Sequence, residues 1–211
     1  MNPVSKILHD HYRQTFLEHG TSTLGVDWGM DGSKARARQE IMLDVCRQTP
    51  TGQSILDVGC GYGALADVIN EKQLSLVYTG VDVVEEMVDA ARIRRPESTF
   101  LCVDFLNGER GIYDYVVCNG ILTQKCTTTH MQMNTYAQSI IKRMYESCRI
   151  GVAFNLMSTY VNFQRDNLYY RNPAEMIAWC MSELTPHVRL NAAYSLVYEF
   201  TIYLYRPASG D

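Results

Sequence analysis

A chain of 211 residues, 46% of them hydrophobic and 20% charged, has the length and composition of one globular domain, and disorder is not the default reading. The formal net charge of −4 argues against nucleic acid as a partner, because the densest basic stretches (Lys34, Arg36, Arg38 and Arg92, Arg94, Arg95) read as solvated helix faces. Seven cysteines, odd in number and without a CxxC pair, point away from disulfides and metal sites and toward a reducing cytoplasm; no signal-peptide core or bilayer-spanning run is visible.

The predicted elements alternate. Val4 to His19 has apolar residues at helical spacing and stops at Gly20; a loop from Gly20 to Gly32 carries Trp28. A second helix is expected from Ser33, as its cap, to Arg47. Strands are expected at Ser54 to Val58, Leu76 to Val81, Thr99 to Val103, Tyr113 to Cys118 and Gly151 to Asn155. Helices are expected between them at Ala64 to Asn70, through Met87 to Arg94, and at His130 to Ser147. A further helix, Pro173 to Leu184, is opened by Asn172 with proline in its first turn. Val188 to Ala192 and Tyr198 to Tyr205 have no helix between them and must pair antiparallel. The pattern predicts an α/β fold: a Rossmann-like, seven-stranded, mostly parallel sheet with helices on both faces and a C-terminal antiparallel hairpin. It reads as a single domain over 1–211, with an N-terminal helical cap (1–50) before the α/β core (51–211).

Ligands of such sheets sit beyond the carboxyl ends of the strands. Asp57, Asp82, Asp104 and Asn119 fall at or near those ends, so four polar residues are expected on one rim. Between the first strand and its helix the chain reads ILDVGCGYG, with Gly59, Gly61 and Gly63 permitting a tight turn and close approach of a ligand. Gly59-x-Gly61-x-x-Ala64, with Asp82 about 20 residues beyond the turn, also satisfies the relaxed dinucleotide fingerprint, so an NAD-dependent dehydrogenase is a rival reading. Asp57 weighs against it: a carboxylate there repels a pyrophosphate and attracts a cation.

The segment ILDVGCGYG resembles the first signature of the class I S-adenosylmethionine-dependent methyltransferases, and GVDVVEEMVDAAR (Gly80 to Arg92) resembles the second. The resemblance implies that Asp57, Gly59, Cys60, Gly61 and Gly63 cradle S-adenosylmethionine and that Asp82 chelates both ribose hydroxyls. It places Val83 and Met87 near the adenine, with Asp104 on its amino group and Phe105 beside the ring. YDYVVCNG (Tyr113 to Gly120) is similar to the family's fourth strand, which puts Asn119 near the methionyl part of the cofactor or the acceptor. LGVDWGMDGS (Leu24 to Ser33) is similar to a lead-in of some bacterial small-molecule members, making Trp28 either a lid over the site or a plug at the sheet edge.

The expected activity is methyl transfer to a small soluble metabolite, at oxygen (carboxyl or hydroxyl) or at nitrogen; a non-catalytic binder of the cofactor is a further alternative. Methyl transfer from a sulfonium needs alignment and exclusion of water, and a base only where the acceptor holds its proton. His130, which opens the helix after the fourth strand, is the candidate base, against the plainer reading of a solvent-facing histidine. His9, His11 and His19 belong to the first helix, which in this family often covers the site. Tyr160, Arg165 and Tyr169, in the polar and aromatic stretch after the fifth strand, are candidates for an acceptor pocket, with Arg165 available to an anionic group.

Overall fold

Eight strands form one sheet in the computed structural model, which describes residues 1–109, 111–196 and 198–207. They are β1 (Thr51–Val58), β2 (Ser75–Asp82), β3 (Thr99–Cys102), β4 (Tyr113–Cys118), β5 (Cys148–Ser158), β6 (Tyr170–Arg171), β7 (Val188–Asn191) and β8 (Glu199–Tyr205). The order across the sheet is β3-β2-β1-β4-β5-β8-β7, and β6 pairs with β5 beyond this path. All pairings from β3 to β5, and that of β6, are parallel; β8 runs antiparallel to both β5 and β7. The chain leaves β1 for β2 on one side and later returns to place β4 on the other, so the strand order reverses beside β1.

Successive residues of a strand face opposite sides, and here both sides are buried. Leu56, Val116 and Phe154 join one apolar cluster, while Ile55, Val117 and Ala153 join another across the sheet. The first cluster is closed by α1 (Pro3–His19), α5 (His130–Glu146) and α6 (Pro173–Glu183). The second is closed by α2 (Gly32–Leu43), α3 (Ala64–Glu71) and α4 (Glu85–Arg94). Fully burying one such Leu, Ile or Phe stabilises by about 1.5–3 kcal/mol, which is why helices form where short segments alone would not hold.

The helix ends follow local chemistry. Asn2 accepts from the Val4 N–H at 2.8 Å with Pro3 in the first turn, and Gly20 (φ +61°) ends α1. Thr129 and Gln132 form a reciprocal capping box at the start of α5. The cap of α2 corrects the sequence reading. Asp31, not Ser33, accepts the orphan N–H groups of Ser33 (3.1 Å) and Lys34 (3.4 Å), and the helix ends at Leu43 instead of Arg47. A carboxylate is the stronger acceptor at the positive end of a helix.

Two further differences concern the sheet. Tyr170–Arg171, for which no strand was expected, pairs with Met157 and Ser158 and adds an eighth strand. The reversed strand β8 lies inside the sheet, between β5 and β7, so its burial on both faces matches its nearly unbroken apolar run.

Gly80 in β2 has no room for a side chain: a Cβ there would lie 2.8 Å from Cys60 Sγ and 2.9 Å from Phe100 Cδ1. Gly80→Ala is therefore expected to cost about 1–3 kcal/mol of stability through overpacking. Urea denaturation measures this, and an unchanged midpoint would show that the turn after β1 can give way freely.

Candidate functional site

The site grows from the ends of the parallel strands. After Val58 the chain enters a turn at Gly59 (φ +76°), whose N–H donates to the Val81 carbonyl at 2.8 Å, as does that of Cys60 at 3.1 Å. A side chain at Gly59 would meet Ile121 Cγ2 at 2.6 Å, so the loop after β4 closes directly on this turn. Gly63 (φ +83°) then starts α3 in the left-handed region that favours glycine.

Three carboxylates follow. Asp82, at the end of β2, accepts the Gly61 N–H on one oxygen (2.9 Å) and the Val84 N–H on the other (3.0 Å). Burial raises its pKa, and these backbone donors oppose the rise. Asp57, only 3% exposed, accepts from the Tyr78 hydroxyl at 2.8 Å. Burial pushes its pKa up to about 7, against the pull of that hydrogen bond, and the neighbouring Asp82 adds to the rise. Asp104, two residues past β3, caps its own turn through the Leu106 N–H (3.1 Å) and the Asn107 amide (2.7 Å). Arg143 of α5 braces that turn by donating to the carbonyls of Leu106 and Gly108, with its guanidinium 5.4 Å over the Phe105 ring.

At the end of β4, Asn119 donates from Nδ2 to the Arg38 carbonyl at 3.0 Å, while its buried Oδ1 has no partner. Next to it the Gly120 N–H donates to Asn155 Oδ1 at 2.9 Å, and the Trp28 ring lies where a Gly120 side chain would otherwise stand. Arg38 stacks its guanidinium 5.4 Å from the Trp28 ring centroid and leaves one buried nitrogen, Nη1, unpartnered.

These elements enclose a cleft of about 930 Å³, counting its open mouth. Every residue expected at the cofactor lines it (Asp57, Gly59, Cys60, Gly61, Asp82, Val83, Met87, Asp104, Phe105 and Asn119), with the exception of Gly63. Gly63 serves the packing, since a side chain there would meet the Phe100 ring at 3.0 Å. Trp28 also lines the cleft, in keeping with a lid.

Of the candidates for base and acceptor pocket, His130, Tyr160, Arg165 and Tyr169 lie outside this cleft. His130 does not line the cleft; its Nε2 sits 3.1 Å from the Tyr170 carbonyl and its ring packs 5.0 Å from Tyr169. Tyr169 is a core residue, 1% exposed, with its hydroxyl donating to Asn134 at 2.9 Å. Tyr160 and Arg165 are exposed, and Arg165 stacks on Phe163.

α1, which the resemblance led one to expect over the site with His9 among its candidates, lines the cleft, and its Ser5, Leu8 and Tyr12 were not singled out in the sequence. Ser5, Leu8, His9 and Tyr12 line the cleft, and their i, i+3, i+4, i+7 spacing is one helix face. That spacing was the available signal. Gln39, Ile121, Tyr136 and Ile140 complete the enclosure. Burial raises the phenols of Tyr12 and Tyr136 well above their ordinary range, so both stay protonated. Among the described residues no lysine or arginine lines the cleft. Three carboxylates and an unpartnered amide oxygen suit a ligand with a diol and a cationic group. They do not suit a pyrophosphate.

A family model described as a methyltransferase domain matches residues 56–152. A Mycobacterium tuberculosis protein named as a methyltransferase is 35% identical over 161 residues, covering 74% of this chain and 94% of that protein. The magnesium protoporphyrin IX methyltransferase of Synechocystis, solved with bound S-adenosylmethionine, superposes with a TM-score of 0.69 at 15% identity, over 98% of this chain and 99% of that one. The 1,6-didemethyltoxoflavin-N1-methyltransferase of Burkholderia thailandensis, solved with its substrate and S-adenosylhomocysteine, superposes with a TM-score of 0.67 at 15% identity, over 97% and 89% of the two chains.

Asp57 makes stability depend on pH in a predictable direction. Its folded pKa of about 7 exceeds the ordinary 3.8, so the folded state binds the proton more tightly. The stabilisation from this proton is complete below pH 4 and is lost as pH rises through about 7. Asp57→Asn, which keeps an acceptor for Tyr78, should gain stability relative to the parent as pH rises over that window and hold the gain above it. Urea melts from pH 4 to 8 measure the difference; a gap that does not change with pH would mean that the buried carboxyl is not titrating there.

Proposed function

This chain belongs to the class I S-adenosylmethionine-dependent methyltransferases, and within that family we propose that it passes the methyl group to a small molecule that is uncharged or amine-bearing. S-adenosylmethionine is the methyl donor, and it supplies an electrophilic methyl on a sulfonium. The roles of the residues follow from what each can offer. Asp82 accepts from the ribose hydroxyls, and Asp104 with Phe105 and Met87 receives the adenine. Asn119 Oδ1 and Asp57 face the α-ammonium group, where a cation draws the Asp57 proton off and makes the carboxylate an ion partner. Trp28, Leu8 and Tyr12 exclude water from the transfer.

One observation carries the choice of acceptor: Asp57, Asp82 and Asp104 line the cleft and no lysine or arginine among the described residues does. A carboxylate or phosphate on the acceptor would be repelled without compensation, whereas a neutral ring or an amine would not. The same charge pattern opposes a nucleic-acid backbone and a nicotinamide dinucleotide. His9 is the histidine on the wall, and its Nδ1 is engaged at 2.8 Å with Asp10, so the site favours an acceptor atom whose lone pair is already free, such as a ring nitrogen of a heterocycle; a protonated amine would first have to give up its proton. The Burkholderia fold neighbour, named for transfer to N1 of 1,6-didemethyltoxoflavin, supports a small acceptor. Among the described residues no helix is long and apolar enough to cross a membrane.

Calorimetric titration tests the site. Asp82→Ala should weaken S-adenosylmethionine binding at least tenfold, about 1.4 kcal/mol, because hydrogen bonds to a charged acceptor are lost. Equal affinity in a folded variant, or saturable binding of NAD in place of S-adenosylmethionine, would overturn the assignment. For the acceptor, heterocyclic amines and their carboxylated congeners should separate in turnover, the carboxylated ones being at least tenfold poorer. The reverse order would refute the acceptor class.

A further inference from the structure

Glu199 stands at the start of β8, 6% exposed, and does not line the cleft. Arg38 Nε donates to its two oxygens at 3.0 and 3.1 Å, and Arg38 Nη2 donates to Oε1 as well. Asn155 of β5 donates to Oε2 at 3.1 Å. Each of these partners holds a wall of the cleft. Asn155 turns its other amide atom to the Gly120 N–H. Arg38 lays its guanidinium on the Trp28 ring, and its backbone carbonyl receives the Asn119 amide. One carboxylate thus sits behind Trp28, Asn119 and Gly120 together.

We propose that Glu199 is a positioning residue for methyl transfer: through Arg38 and Asn155 it sets the wall that receives the amino-acid end of the cofactor. This rests on the reading that Asn119 and its neighbours face that end. A buried ion pair is a costly way to gain stability, and an apolar cluster of the same volume serves as well or better. What a bidentate guanidinium–carboxylate pair adds is direction. Here the direction is used twice, since the amide of Asn155 orients only if Glu199 takes its Nδ2 and leaves Oδ1 for Gly120. Glu199 connects residues 161 positions apart in sequence, α2 and β8, at the level of the cofactor turn.

The test compares two ligands that differ only where the proposal applies. S-adenosylhomocysteine carries the amino-acid end; 5′-methylthioadenosine has the same adenosine and sulfur without it. Glu199→Gln and, separately, Arg38→Lys should lose at least tenfold in affinity for S-adenosylhomocysteine by calorimetry. Both should bind 5′-methylthioadenosine within twofold of the parent. Arg38 is more exposed than Glu199, so Arg38→Lys gives a reading even if Glu199→Gln folds poorly, and thermal melts check both. Equal losses for the two ligands would reduce Glu199 to a structural role, and no loss for either would remove it from the site. A parent protein that binds S-adenosylhomocysteine no better than 5′-methylthioadenosine would instead overturn the placement of the amino-acid end, and the proposal with it.

Discussion

Two carboxylates, Asp57 and Asp82, stand near the ends of adjacent parallel strands with most of their hydration removed. Desolvation of a charge is the largest cost a small site can carry, and the local structure is organised around limiting it. Tyr78, further back on β2, turns its hydroxyl to Asp57 across the strand pair. The turn between β1 and α3 points the Gly61 N–H at Asp82, which requires the backbone to take positive φ at Gly59, Gly61 and Gly63. Gly80 opposes Asp57 in the β1–β2 register, and it is bare because Cys60 must pass over it. The signature seen in the sequence is thus the set of residues that lets two carboxylates be buried side by side.

The cost is only partly offset in the protein alone, as the elevated pKa of Asp57 shows. On the proposed reading an incoming cation completes the compensation, and the site would discriminate by charge more than by shape. A pocket whose fixed charges are all acidic binds a sulfonium and an ammonium well and opposes phosphate. The cover from α1 strengthens the effect, since Leu8 and Tyr12 keep water from screening the interaction. Arg13 on the same helix pairs with Glu86 of α4, so the cover is tied to the helix that follows Asp82.

The core of the fold was legible because its signals are local. Glycine spacing, strand length and the carboxylates at strand ends placed β2 to β4 and α3 to within a residue at each end, and β1 and α4 to within three. That the residues expected at the cofactor would meet in one cleft was legible for the same reason, as they lie in short segments bound to those strands. The acceptor side was not. His130, Tyr160, Arg165 and Tyr169 have the right chemistry in the right part of the chain, but none of them lines the cleft. Nothing in Tyr170 and Arg171 announces a strand, since pairing so short is decided by tertiary packing. The α1 face was written at helical spacing, yet its apolar residues suit a core as well as a cleft, and only the assembled sheet shows which it became.

The reversed strand has a consequence that composition and motif do not convey. A parallel strand presents its last residue to the ligand rim, so β1, β2 and β4 each deliver the residue where they end. A strand running the other way presents its first. β8 pairs antiparallel with β5, with Glu199 opposite Met157, and so brings its opening carboxylate to the same rim that the parallel strands reach with their tails. From there Glu199 meets Arg38, which arrives from α2 ahead of the sheet. The N-terminal cap and the C-terminal hairpin, the two parts of the chain furthest apart in sequence, are joined behind the Trp28 wall. A sheet of parallel strands alone would have placed the first residue of that strand at the opposite end, and the cap would have lost this buried ion pair with the hairpin.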